Sequence, residues 1–245
     1  MGDKLSEIVI GVPTIKDGEV TKYHLLGQDS KVVSAYITQT INKVQDGGKE
    51  CYSIHTDTEY VEGSVIEETS VVQIEEGPRP VSTYRVVKSK TGIILLDAKQ
   101  IFRDDALAVP CNPTLPGVDG LSFCLRGCGF ELKKKIEITA MCLEGTLLGM
   151  HGSVSKDKVT VPAGTFMCYK VELVARLTDT MGFKAPPGMG GLIDHFMPTI
   201  LHWYTEQEPH YLVKFEGMPL SSSATVRRQS AEGEQAVQEL LSIGE

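Results

Sequence analysis

The chain is short of the features that most readily betray a function. It has one tryptophan, Trp203, and aromatic residues make up only 7% of its 245 positions. Positive charge is scarce: 24 Lys and Arg stand against 32 Asp and Glu, a net charge of −8, and the only basic run is Lys133-Lys134-Lys135. A nucleic-acid binder needs a cationic surface to displace counterions from phosphates, so nucleic acid is not an expected partner. Docking on an anionic membrane surface is disfavoured for the same reason. No apolar run approaches the ~20 residues of a membrane-spanning helix, so no integral span is expected. Residues Met1 to Glu7 lack the basic and apolar segments of a signal peptide. The expectation is a cytoplasmic protein as the chain stands, or a periplasmic one if a leader has been removed. Also missing are a nucleophile elbow, a phosphate loop, a paired-histidine zinc motif and a dinucleotide fingerprint. No cofactor or metal is expected, and no catalytic residue is assigned.

The six cysteines are Cys51, Cys111, Cys124, Cys128, Cys142 and Cys168. Disulfide frameworks belong to short secreted chains, and the four-residue step from Cys124 to Cys128 does not match the tighter spacing of zinc ribbons. Ordinary reduced thiols are expected.

Strand-forming segments fill most of the sequence. They run over Glu19 to Leu26, Lys31 to Val44, Cys51 to Thr58, Ser64 to Ile74, Val81 to Ser89 and Ile93 to Asp97, with turn residues such as Asp46-Gly47-Gly48 between them. Further strands are expected at Leu132 to Met141 and Gly145 to Ser155, with a hairpin turn over Ser155 to Lys158. The stretch Val159 to Leu177 is the clearest of all. A short strand enters a Pro162-Ala163-Gly164 turn and a long one leaves it, with Met167, Tyr169, Val171, Leu173, Ala175 and Leu177 on one face. Gly164 is expected at positive φ. Asp119 reads as the N-cap of a short helix that carries Leu121, Cys124 and Leu125 and stops at Gly127 and Gly129. The fold class is therefore all-β with minor α: a single curved antiparallel sheet forming a half-open β-barrel. A short central helix completes residues 1–228, and residues 229–245 form a C-terminal helical tail with Val237, Leu240, Leu241 and Ile243 as its apolar stripe. Ser221 to Arg228 reads as a last edge strand guarded by Arg227 and Arg228.

Asp119-Gly120-Leu121-Ser122-Phe123-Cys124-Leu125-Arg126, the Val161-Pro162-Ala163-Gly164-Thr165-Phe166 turn with the strand from Tyr169, and the closing hairpin around Trp203-Tyr204 and Tyr211 to Glu216 resemble segments of bacterial domain-of-unknown-function family 3108. The resemblance spans residues 18 to 217. It implies the LolA- and LolB-like half-barrel of lipoprotein carriers, in which a curved sheet wraps a helical lid and holds an acyl chain. It implies no reaction.

Met181 to Leu201 is rich in Gly, Pro and Met. Flexible apolar side chains on such a loop suit a lid over a greasy cavity, and equally a plug with no ligand. The candidate ligand-binding residues are Tyr169, Phe183, Met189, Leu192, Phe196, Met197, Leu201 and Trp203, with Trp203 expected to point into the concave interior. Asp194 and His195 are adjacent and cannot face one another on a helix. His202 and Tyr204 share a strand face, and His210 follows. The reading is non-enzymatic binding or carriage of a hydrophobic ligand, a lipid or acyl chain. The alternatives are an enzyme using the same cavity for acid–base chemistry on a small apolar substrate, and a structural protein with a filled core. A partner protein could dock on the C-terminal tail.

Overall fold

The structure, a computed structural model, describes residues 10–27, 32–75, 77–102, 114–116, 119–132, 134–141, 147–176, 199–217 and 236–244. Among these residues thirteen strands form one sheet. The first six are β1 Glu19–Leu26, β2 Val33–Asp46, β3 Lys49–Tyr60, β4 Val65–Gln73, β5 Arg79–Lys88 and β6 Ile94–Ile101. After β7 Thr114–Pro116 comes the only helix among the described residues, α1 Asp119–Cys124, with a 3-10 turn at Leu125–Gly127. There follow β8 Lys135–Met141, β9 Leu147–Val161, β10 Gly164–Arg176, β11 Thr199–Thr205, β12 Leu212–Gly217 and β13 Ala236–Gly244.

The strand order is β6-β5-β4-β3-β2-β1-β13-β12-β11-β10-β9-β8-β7, antiparallel throughout except for the parallel pair β7–β8. Neighbours in space are neighbours in sequence all round the sheet, because the C-terminal strand sits between β1 and β12. The one break in the cycle lies between β6 and β7, and the sheet is open there rather than closed into a barrel. The sheet is curled all the same. β5 meets β7, and α1 touches β3, β4 and β7. Side chains of β11 reach the same helix. Alternation does the rest: Glu19, Thr21 and Tyr23 of β1 are buried while Lys22 is exposed.

Two expectations are corrected. The C-terminal segment is strand β13, not a helix. Val237 pairs with Leu26 and Glu216, and Leu240 pairs with Tyr23 and is fully buried. The two edges of β1 and β12 would otherwise stand unpaired, and the ladder they offer outweighs an apolar stripe that a helix could also use. Residues 236–244 are thus part of the sheet and not a free docking tail. The turn expected over Ser155 to Lys158 is absent too, since β9 runs straight through it. Asp157 there accepts a hydrogen bond from the Trp203 indole, and Lys156 is paired with Glu206, so these two polar residues have partners while the strand stays extended. The predicted edge strand at Ser221 to Arg228 lies outside the described residues.

The turn after β9 behaves as expected. Gly164 has φ +136, a region that side chains resist. The hairpin tip also bonds to the middle of β13, since the Ala163 N–H donates to the Leu240 carbonyl at 3.1 Å. Gly164→Val is expected to cost about 1–3 kcal/mol through backbone strain. A urea midpoint equal to that of the parent protein would show that the turn is not strained.

Candidate functional site

Placing α1 inside the curl decides which sheet face is which. The Tyr204 hydroxyl donates to the Ser122 carbonyl at 2.8 Å, and His202 Nε2 is hydrogen-bonded with Ser122 Oγ at 3.2 Å. Phe123 packs edge-on to Tyr52 of β3, with ring centroids 5.2 Å apart. His202, Tyr204 and Tyr52 therefore face the concave side. By register Tyr169 pairs with Tyr204 and faces that side too.

Trp203 and Leu201 fall on the opposite, convex face. Trp203 pairs with Lys170 and Lys214, and both ammonium groups lie over its ring, at 5.4 and 5.5 Å. Its indole N–H donates to Asp157 at 3.0 Å. The expectation that Trp203 points into the interior is thus corrected. Period-two alternation marks two faces but not which is inside, and here the more polar face went in because α1 supplies partners for His202 and Tyr204. Trp203 is nonetheless buried, 5% exposed, beneath the side chains of Lys170 and Lys214, so its fluorescence reports on packing at the convex face rather than on the concave interior. Of the predicted ligand residues, Tyr169 alone among those described lies on the concave side. Phe183, Met189, Leu192, Phe196 and Met197 lie outside the described residues, as do Asp194 and His195.

Tyr169 belongs to an aromatic cluster. It stacks on Phe130 with centroids 4.9 Å apart and planes 1° from parallel. Phe130 also meets Tyr204 at 5.4 Å and the His210 ring at 4.9 Å. Phe130 and His210 both hold positive φ, 40° and 55°, which non-glycine residues rarely do. His210 is secured by a 2.8 Å hydrogen bond from Nδ1 to the Thr205 carbonyl, and the Lys156 ammonium lies 5.4 Å from the Tyr169 ring. Tyr169 and His210 are half-buried, whereas Phe130 and Tyr204 are buried. The cluster thus runs from the rim of the concave side into its core. Phe130 was missed in the sequence, since it sits in no periodic segment, and His210 was noted only as a neighbour of His202 and Tyr204; the curl of the sheet brings the two rings together.

The central helix is fixed by charge as well. Arg126 donates to both oxygens of Glu19, at 2.6 and 3.0 Å, and to the Pro209 carbonyl from Nε and Nη2. A second buried ion pair joins Arg85 to Glu68, with Ser70 and Thr83 beside it.

His202 is 1% exposed. Burial pushes its imidazole down to about 3, so it is neutral at neutral pH. Burial likewise holds the Tyr204 phenol well above its ordinary value. Neither group is poised to exchange a proton near neutrality, and both serve to moor α1 to β11.

Cys51, Cys124, Cys128 and Cys168 are buried free thiols, and Cys111 and Cys142 lie outside the described residues. Burial raises Cys128 to about 11 and Cys168 to about 12. No cluster of metal-ligating side chains occurs among the described residues. Denatured without reductant, the chain is expected to titrate all six thiols and to carry no zinc, while the folded protein reacts slowly at these four. Fewer than six reactive thiols after denaturation would overturn the reduced-thiol reading.

No protein-family model matches the chain, and no curated protein matches it. Among solved structures it is similar to a Bacteroides fragilis protein, proposed to be exported and described as having a YmcC-like fold. The two are 13% identical, over 97% of this chain and 100% of that one, with a TM-score of 0.41. It is also similar to a proposed lipoprotein from Parabacteroides distasonis, 10% identical over 98% of this chain and 100% of that one, with a TM-score of 0.36. The functional reading therefore stands on residues and geometry. Among the described residues no helix is long and apolar enough to cross a membrane.

Proposed function

We propose that the protein is a non-enzymatic binder or carrier of a hydrophobic ligand, a lipid or another acyl-chain compound, held on the concave side of an incompletely closed barrel. The observation that carries this reading is the aromatic cluster of Tyr169, Phe130, Tyr204 and His210, which runs from the rim into the core and in which two non-glycine residues occupy left-handed backbone positions. Backbone strain of that kind costs of order 1–3 kcal/mol per residue and gathers at ligand clamps and switches. The half-buried rings of Tyr169 and His210, held in place by buried Phe130, offer an apolar ligand contact area at little entropic cost. The resemblance of segments of the chain to family 3108, which implies a lipoprotein-carrier half-barrel, points the same way.

A filled structural core is the second reading. Leu121, Phe123 and Leu125 of the helical segment occupy the concave side with almost no exposure. The two readings part on one experiment. Freshly purified protein is examined by native mass spectrometry for a co-purifying lipid, and a fluorescent fatty acid is titrated in and displaced by unlabelled fatty acids. The carrier reading expects saturable binding, weakened roughly tenfold by Tyr169→Ala. An empty protein that binds none of the fatty acids would leave the filled core.

A further inference from the structure

We propose that two copies of this chain associate through the outer edges of their β6 strands, antiparallel about a two-fold axis at Ala98. Among the described residues β6 ends the sheet and pairs only with β5. The other terminal strand, β7, meets β5 rather than extending the β6 edge. Every residue of β6 is exposed or half-buried, and Ile94 and Ile101 are 57% and 65% exposed. On its outer side such a strand presents main-chain groups of Asp97, Lys99 and Ile101 that have no strand partner among the described residues, beside apolar side chains, a template for another strand.

The geometry points to one register. The Phe102 N–H donates to the Val81 carbonyl, so Phe102 turns its main-chain groups toward β5. Alternation along the strand then turns those of Gln100, Ala98 and Leu96 toward β5 and those of Lys99 and Asp97 outward. A two-fold antiparallel pairing brings outward residues opposite one another. With the axis at Ala98, Asp97 faces Lys99 of the second copy and Lys99 faces its Asp97. An axis at Asp97 would oppose two aspartates, and one at Lys99 two lysines. Only the axis at Ala98 pairs both charges with their opposites, and cross-strand partners of opposite sign favour pairing whereas like signs oppose it. The same register carries Ile101 toward Leu95 of the second copy at each end of the ladder. The bulge beside Leu95, where the β5–β6 register shifts, limits that ladder to a few residues. The association is accordingly modest and concentration-dependent. It is also closed, because the two-fold pairing consumes the exposed edge of each copy.

Charge reversal tests this without disturbing the core. Asp97 and Lys99 are exposed, and Asp97 is hydrogen-bonded to the Tyr84 hydroxyl on the protein surface. Sedimentation equilibrium of the full chain over a wide concentration range is expected to show a monomer–dimer equilibrium. Asp97→Lys and Lys99→Asp, each placing like charges opposite one another twice, are expected to raise the dissociation constant roughly tenfold or more. The double swap, Asp97→Lys with Lys99→Asp, restores the complementarity and is expected to restore the dimer. Because the swap loses the Tyr84 bond as well, recovery isolates the intersubunit pairing. A monomer at every concentration would overturn the proposal. So would single reversals that dimerise like the parent, or a double swap that stays as weak as either single variant.

Discussion

Glu19→Ala is expected to destabilise the protein by about 3–5 kcal/mol, the range for breaking a buried ion pair on one side. Glu19 and Arg126 have side chains 2% and 4% exposed and meet in a two-pronged hydrogen bond. Removing the carboxylate leaves a guanidinium in the core with, among the described residues, the Pro209 carbonyl and the face of Tyr211 for company. The loss propagates, because this contact holds the turn after α1 onto β1, three strands along the sheet from the anchorage of α1 on β11. A urea titration reads the effect. Glu19→Leu combined with Arg126→Met is expected to be less damaging than Glu19→Ala alone, since neither charge is then stranded. If Glu19→Ala leaves the urea midpoint within experimental scatter, the pair is not the fastening described here.

Acidification from about pH 7 to about pH 5 is expected to cost about 2 kcal/mol through His202 alone. Its ordinary value is 6.5, and burial depresses the folded value to about 3. Between those two values the unfolded chain takes up a proton that the folded protein refuses. The stabilisation is therefore fully present above 6.5 and lost progressively as the pH falls toward 3. One ring nitrogen bonds to Ser122 and Nδ1 has no partner among the described residues, so no acceptor there offsets the cost of charging the ring. The measurement is the urea midpoint at both pH values for the parent and for His202→Leu. The variant is expected to be less sensitive to acid by that amount. Equal sensitivity in the two proteins would mean that another group carries the acid response.

Much of the architecture is legible along the chain. Period-two alternation places β1 at Glu19–Leu26, the residues first expected, and β2 to β5 within a few residues of their bounds. The Pro-Ala-Gly turn and the helix from Asp119 are equally local, because a positive φ and a short apolar helical face leave marks within a few residues. What the sequence by itself determined is an all-β chain with one short helix near its middle and a turn at Gly164. The tertiary structure decided the rest. Val237, Leu240, Leu241 and Ile243 suit a helix as well as a strand, and only the two open edges of β1 and β12 resolve the matter. Trp203 and Tyr204 are adjacent on one strand, and which of them faces inward depended on a helix that arrives from some eighty residues away. Phe130, Tyr169 and His210 come together only when the sheet curls. Alternation is a property of neighbours in the chain, whereas inside and outside are set by partners distant in sequence, which local pattern does not encode.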